Sequence, residues 1–231
     1  MIRNNIDKTL YDWKPVNKVN GMPWPRLPDS FDEEVKVPLK EEYLFRSMDY
    51  LDTEEALPIF EIQADIIIDN GYKGIVDIGC RHGPVNDILY DRGYYDYNYM
   101  GFDTSPQPID YANAVWSNSP NIEYRCASWN DIEKIDVDFK VDCLIWSGVL
   151  LYEPETHMEL FERLHKFYNA PHAIIQEPCS EQPKNKWLEN LTLNTIEDQL
   201  YLYKEKYSKY QDVIVNRNIF SGRRKIVSIT L

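Results

Sequence analysis

Nothing in the 231-residue chain approaches the roughly 18 uninterrupted apolar residues a membrane-spanning helix needs. The densest run, Ile66-Ile67-Ile68, is closed off by Asp65 and Asp69. The opening MIRNNIDKTLYDWK lacks an apolar core followed by small residues, so it does not read as a secretory signal. Cations are also scarce: 25 Lys and Arg face 38 Asp and Glu, a formal net charge of −13. So negative a surface repels phosphate backbones and anionic lipids, which makes nucleic acid and membrane poor partners. Cys80, Cys126, Cys143 and Cys179 form no CxxC pair, so neither a zinc site nor a disulfide framework is indicated. None of the four histidines has metal-ligand spacing, and no metal is expected. The simplest reading is a cytoplasmic protein with reduced thiols, each a small buried hydrophobe in or just past a strand.

What the chain does have is apolar mass. Hydrophobic residues make up 43% of it and aromatics 13%, enough for a packed interior and one main domain. Residues 1–52 stand apart, because Pro15, Pro23, Pro25 and Pro28 among Trp13 and Trp24 break any regular period. They read as an arm or lid that packs on the domain or on a second copy in a homodimer, with a disordered tail as the competing reading.

From residue 53 to 231 the pattern becomes periodic. Leu57, Phe60, Ala64 and Ile67 mark one helical face that ends near Asn70-Gly71. Strand-like and helix-like segments then alternate. Strands are expected at 74–79, 99–103, 122–126, 141–146 and 173–176, and helices at 84–90, 108–116 and 156–168. A helical stretch near 188–207 precedes two closely spaced strands, 213–215 and 225–230, which must pair antiparallel because a parallel crossover needs about a dozen residues. The expectation is an α/β Rossmann-like three-layer αβα sandwich. Its sheet would be seven-stranded and mostly parallel, with an antiparallel last strand. Arg217, Arg223, Arg224 and Lys225 would then sit on an end strand, where basic residues protect an edge.

The most informative segment runs Gly74-Ile75-Val76-Asp77-Ile78-Gly79-Cys80-Arg81-His82-Gly83-Pro84. A strand ends in a glycine-bearing loop and a helix begins at once with proline at its first position, so backbone can approach a ligand that faces helix-terminal N–H groups. As a nicotinamide-dinucleotide fingerprint it fails, for want of glycines at Arg81 and near Pro84. Twenty residues after Gly83, the strand Tyr99-Met100-Gly101-Phe102-Asp103 ends in an acid followed by Thr104. Later, Val141-Asp142-Cys143-Leu144-Ile145-Trp146-Ser147-Gly148-Val149-Leu150-Leu151-Tyr152 forms a fourth strand and its loop.

In this order and spacing the segments resemble the class I S-adenosylmethionine-dependent methyltransferases. The resemblance implies that Asp77, Gly79, Cys80, Arg81 and Gly83 border the methionine end of the cofactor and that Asp103, with Thr104, holds the ribose. Ser128 stands where family members often carry an acid that touches adenine, with Trp129 beside it. Trp146, Ser147 and Tyr152 would border the sulfonium and the substrate. Arg81 replaces the family's middle glycine and is strained if that position needs a positive φ. Each role has a bland counterpart: Asp103 as a helix cap, Ser128 as a loop residue, the tryptophans as core.

The implied activity is transfer of a methyl group from S-adenosylmethionine to an O or N acceptor on a small molecule or sugar. Tyr152, Glu177 and His157 are the candidate catalytic groups, none assigned as a base, since positioning alone can supply most of the acceleration. Of the other histidines, His82 lies in the cofactor loop, facing ligand or solvent, and His165 looks surface-facing. A catalytically inactive cofactor-binding or structural subunit is the alternative from another class; an NAD-dependent oxidoreductase is disfavoured by the missing glycines.

Overall fold

The computed structural model describes residues 1–6, 18–19, 22–23, 57–149, 157–178, 209–216 and 223–231. The arm apart from its first six residues and two short pairs, the expected helix near 188–207, Tyr152 and Cys179 lie outside them.

Seven strands form one sheet: β1 (Gly74–Ile78), β2 (Asn98–Asp103), β3 (Ile122–Cys126), β4 (Cys143–Ser147), β5 (His172–Pro178), β6 (Lys209–Asn216) and β7 (Arg223–Thr230). Their order is β3-β2-β1-β4-β5-β7-β6. The first five run parallel, and β7 is antiparallel to both β5 and β6. The last strand in sequence is therefore an interior strand of the sheet, and its basic start does not guard an edge. Strand order reverses between β1 and β4, which opens a crevice beyond their carboxyl ends where sheets of this kind bind ligands.

Five helices are described: α1 (Leu57–Asn70), α2 (Pro84–Asp91), α3 (Pro106–Trp116), α4 (Trp129–Ile132) and α5 (His157–Tyr168). Every residue of β1 is buried, as expected of a parallel strand covered on both faces. One face, built on Ile75, Tyr99, Tyr124, Ile145 and Ile174, packs with residues of α1, α2 and α3. The opposite face, built on Val76, Phe102, Leu144, Trp146 and Ile175, packs with residues of α4 and α5. Close approach at the sheet's start leaves no room for a side chain at Gly74, where a Cβ would lie 1.8 Å from the Lys140 carbonyl oxygen.

The structure corrects several local expectations. Leu57 is exposed, because α1 turns its buried stripe through Ile59, Phe60, Gln63, Ala64, Ile66 and Ile67. The short α4 carries no repeat long enough to register as a helical period. His165 is buried rather than surface-facing: its ring packs 4.3 Å from Phe161 and its Nδ1 lies 2.9 Å from the Ala170 carbonyl. Burial lowers its pKa to about 4, so it stays neutral. Cys80 and Cys143 are buried as expected, but Cys126 is exposed at the tip of β3.

The first residues of the arm are fastened to the domain. The Ile2 N–H donates to Ser119 Oγ (2.7 Å), which donates back to the Ile2 carbonyl (2.9 Å). The Asn4 N–H donates to the Val115 carbonyl (2.7 Å), and its side-chain amide reaches the Ala114 carbonyl and Ser117 Oγ. Arg3 bridges Asp87 and Asp91 of α2. Met1 and Ile6 pack on the first-face core. Deleting residues 1–6 is expected to cost roughly 1 to 3 kcal/mol, mostly from the hydrogen bonds and apolar contacts, since an exposed ion pair contributes little. Calorimetry should show Tm lowered by several degrees, at about 2 to 4 °C per kcal/mol for a chain of this size.

Candidate functional site

The loop after β1 is fixed to the neighbouring strand by its own backbone. The N–H groups of Gly79 and Cys80 both donate to the Phe102 carbonyl (2.8 and 3.0 Å), and the Gly83 N–H donates to the Cys80 carbonyl (2.9 Å). This path needs left-handed backbone at alternate residues: φ is 80° at Gly79, 53° at Arg81 and 83° at Gly83. Two of the three are glycine for a second reason. A Cβ at Gly79 would meet Val149 Cγ2 at 2.4 Å, and one at Gly83 would meet the Tyr124 hydroxyl at 2.0 Å. Gly83 then caps α2, with Pro84 at the first turn.

Arg81 occupies its left-handed position without glycine's freedom, at a cost of about 1 to 2 kcal/mol. The partner that offsets the strain is Asp103. The Arg81 N–H donates to Asp103 Oδ2 (3.0 Å), and the guanidinium Nε lies 4.0 Å from the same oxygen. The other carboxylate oxygen accepts the Ser105 N–H (2.8 Å). Asp103 thus ends β2 with a backbone donor on each oxygen, a lone pair left on each, and only 8% exposure.

Asp77 faces the first-face core, opposite Gly101 on β2 and Ile145 on β4. The Tyr99 hydroxyl donates to its Oδ2 (2.6 Å), while Oδ1 has no hydrogen-bond partner. Burial raises its pKa from 3.8 to about 7, against the lowering effect of the Tyr99 bond and with a smaller raising effect from Asp103. A buried carboxylate with one oxygen unmet is a ready acceptor for a cationic or hydroxyl donor.

The remaining sequence-singled residues divide. Thr104 is half-buried beside Asp103, and its carbonyl accepts the Cys126 thiol (3.5 Å). Ser128 begins α4, and its hydroxyl donates to Asp131 Oδ2 (2.7 Å), leaving its oxygen able to accept from a ligand. Trp129 opens α4 and His157 opens α5, but the side chains of both lie outside the described structure. Glu177 is fully buried.

Three residues have side chains enclosed in the core. The Cys80 side chain is enclosed in the first-face core, near Gly101; its N–H is spent on the Phe102 carbonyl of β2 and its carbonyl on the Gly83 N–H. Trp146 is fully buried in the opposite-face core, its ring 5.7 Å from that of Phe161, because its position in β4 alternates away from Ser147. It is a core residue, and as register partner of Ile78 it lies beside the strand end that leads into the loop. His82 does not face solvent; it is buried edge-on to Tyr111.

Sequence reasoning missed Gln63 and Gln176. Gln63 is wholly buried on α1 and donates through Nε2 to Ser147 Oγ (3.0 Å). Gln176 is register partner of Ser147 and also buried. The available signal was a polar residue inside the stripe Phe60, Ala64, Ile67, where an apolar one belongs. No group of His, Cys, Asp and Glu among the described residues has the arrangement of a metal site.

No protein-family model matches the chain. Solved structures do resemble it. The bifunctional kinase-methyltransferase WbdD aligns over 77% of this chain with TM-score 0.56 and 17% identity, and the aligned part spans 40% of the WbdD chain. The N-methyltransferase NodS from Bradyrhizobium japonicum WM9, in complex with S-adenosylhomocysteine (SAH), aligns over 86% of this chain and 96% of its own, with TM-score 0.60 and 12% identity. The plantazolicin methyltransferase BamL, in complex with a triazolic desmethylPZN analog and SAH, aligns over 87% and 92%, with TM-score 0.56 and 14% identity.

The raised pKa of Asp77 has a thermodynamic consequence. A group held neutral by the fold supports stability below its unfolded pKa of 3.8 and loses that support as pH climbs to about 7. Asp77→Asn, neutral at all pH, should therefore gain thermal stability over the parent chain progressively between pH 4 and pH 7, with the difference level above that. Melting curves across this range check it; a constant offset would refute the assignment.

Proposed function

We propose that this chain, which has the fold of class I S-adenosylmethionine-dependent methyltransferases, transfers a methyl group from that cofactor to an oxygen or nitrogen of a small molecule. The observation that carries the reading is the pairing of a left-handed loop after β1 with a carboxylate at the tip of β2.

The residues present suit the cofactor's three polar parts. Asp77 Oδ1, buried and unmet, suits the methionine ammonium. Asp103 keeps one lone pair on each oxygen, the number a ribose diol needs. Ser128 Oγ suits the adenine amino group as an acceptor, with its own proton directed at Asp131. Gly79 and Gly83 keep the loop free of side chains where backbone must lie close.

When bound, the sulfonium supplies a methyl carbon already activated for displacement. The protein's task is then to hold donor and acceptor in line and exclude water, an effect worth up to roughly 7 to 11 kcal/mol. Loop and strand tips act as a rigid cradle, since the loop's N–H groups are tied to Phe102 and Asp103 before any ligand arrives. Tyr152, Glu177 and His157 remain the candidates for handling the acceptor's proton.

A second reading, a cofactor-binding subunit without turnover, is favoured by one contact: the Arg81 guanidinium Nε stands 4.0 Å from Asp103 Oδ2, one of the two oxygens the ribose would use. SAH formation from any acceptor would set that reading aside.

Calorimetric titration with SAH should give saturable micromolar binding. Asp103→Asn should weaken it at least tenfold, about 1.4 kcal/mol or more. Affinity should rise with pH through about 7, because only the ionised Asp77 pairs with an ammonium. A second measurement locates the nucleoside. Cys126 is exposed and is register partner of Asp103, so saturating SAH should slow its alkylation by iodoacetamide about fivefold or more, read by peptide mass. Unchanged labelling alongside tight binding would put the nucleoside elsewhere.

A further inference from the structure

The crevice divides at β1. Asp103 and Ser128 lie at the β2 and β3 tips, on one side; Ser147 and Gln176 lie at the β4 and β5 tips, on the other. On that second side three neutral polar residues share the sheet face that α1 covers. Gln63 Nε2 donates to Ser147 Oγ at 3.0 Å, and Ser147 and Gln176 are register partners and so share a face of the sheet. The two amides are almost wholly enclosed, at 0% and 5% exposure. Each nevertheless keeps one group without a partner: the acceptor Gln63 Oε1 and the donor Gln176 Nε2. An unmet buried amide group costs roughly 1 to 3 kcal/mol, and two such groups of opposite kind in one cluster call for a ligand.

The chemistry of the pair selects the ligand. An ammonium only donates and leaves Gln176 Nε2 unmet; a carboxylate only accepts and leaves Gln63 Oε1 unmet. A hydroxyl does both. Neither amide nor Ser147 carries charge to neutralise an ionic acceptor, and burying an unpaired ion is costly. With strands about 4.8 Å apart and about 3.3 Å per residue, Asp77 Cα lies roughly 8 Å from Ser147 Cα and roughly 12 Å from Gln176 Cα. The amides therefore stand beyond the place proposed for the methionine end, on the acceptor's side.

We propose that Gln63 and Gln176 bind a hydroxyl of the methyl acceptor between them, and that the acceptor is an uncharged, hydroxyl-bearing small molecule of the sugar or polyol class. This rests on the methyltransferase reading above. A site built to hydrogen-bond a hydroxyl rejects analogues lacking it far more strongly than an apolar pocket discriminates by size.

The test uses the full chain and variants Gln63→Leu and Gln176→Leu. SAH binding is measured first. Formation of SAH from S-adenosylmethionine is then followed with three sets of probes: D-glucose, myo-inositol, glycerol and uridine; glycine and putrescine; succinate and citrate. The expected result has three parts. Turnover is confined to the first set, both variants bind SAH within about twofold of the parent, and each raises the acceptor KM at least tenfold. Turnover only with the amines or acids, or none with the hydroxyl set, overturns the proposal. So does an unchanged KM in both variants, which would mean that the amides hold a structural water. A tenfold loss of SAH affinity with binding of 5′-methylthioadenosine unchanged also overturns it, by placing the amides on the cofactor's amino-acid end. Absence of SAH binding in the parent chain is a different failure, that of the methyltransferase reading itself.

Discussion

The hydrogen bonds that tie the β1 loop to the end of β2 set the rest of the site. Gly79 and Cys80 give their N–H groups to the Phe102 carbonyl, and Arg81 gives its N–H to Asp103. Three consecutive donors are thereby spent on the neighbouring strand, which forces the alternate left-handed residues and delivers Gly83 to the start of α2. The geometry is thus fixed by the fold before a ligand is present, the condition under which a site stabilises a transition state without reorganising. The same bonds explain why an arginine is tolerated at a glycine's position. Its N–H accepts the strained backbone in exchange for a charge-assisted bond to Asp103, and such bonds are roughly twice as strong as neutral ones.

Asp77 shows how the sheet adjusts the chemistry at its edge. Every other side chain of β1 is aliphatic or absent, and both faces are closed, so a carboxylate there sits in a medium that favours its neutral form. One bond from Tyr99 offsets part of that. The phenol is itself held well above its ordinary pKa, first by burial and then by the charge of Asp77, so it remains a donor. The outcome is a carboxyl poised near neutrality, which a partner cation shifts fully to the ionised state.

Much of this was readable beforehand, for identifiable reasons. Buried parallel strands write themselves as short apolar runs, so β1 through β5 were placed within a few residues, and so was the antiparallel pairing of β6 with β7. The position of β7 between β5 and β6 was not readable, because order across a sheet is decided by packing and not by anything local in the strand. Gly79 and Gly83 are legible as turn glycines because their left-handed backbone admits few residue types. Trp146 is enclosed in the core, because strand alternation sends it to the face opposite Ser147. His165 was misread because its neighbours on α5 are charged, while its own side faces Phe161. Gln63 and Gln176 escaped notice because a single glutamine carries no pattern; only the burial of its amide makes it conspicuous.

Departures from ordinary protein construction occur at several places among the described residues, some of them where the strands end. The cores on both faces are filled by aliphatic and aromatic side chains in contact, with polar atoms such as Asn86 Oδ1 and the Tyr97 hydroxyl paired to each other. Toward the carboxyl ends of β1, β2, β4 and β5 the rules relax together. A non-glycine residue holds a positive φ, a carboxylate is buried half-satisfied, and two amides keep an unmet donor and acceptor. A fold retains deviations of this kind where something repays them. Elsewhere Asn169 also holds a positive φ, and Trp116 Nε1 and His165 Nε2 are buried without a hydrogen-bond partner, so the strand ends are not alone in this. At the end where the strand order reverses, Asp103 and Ser128 at the β2 and β3 tips and the neutral amides beside β4 and β5 supply the polar groups that the proposed site uses.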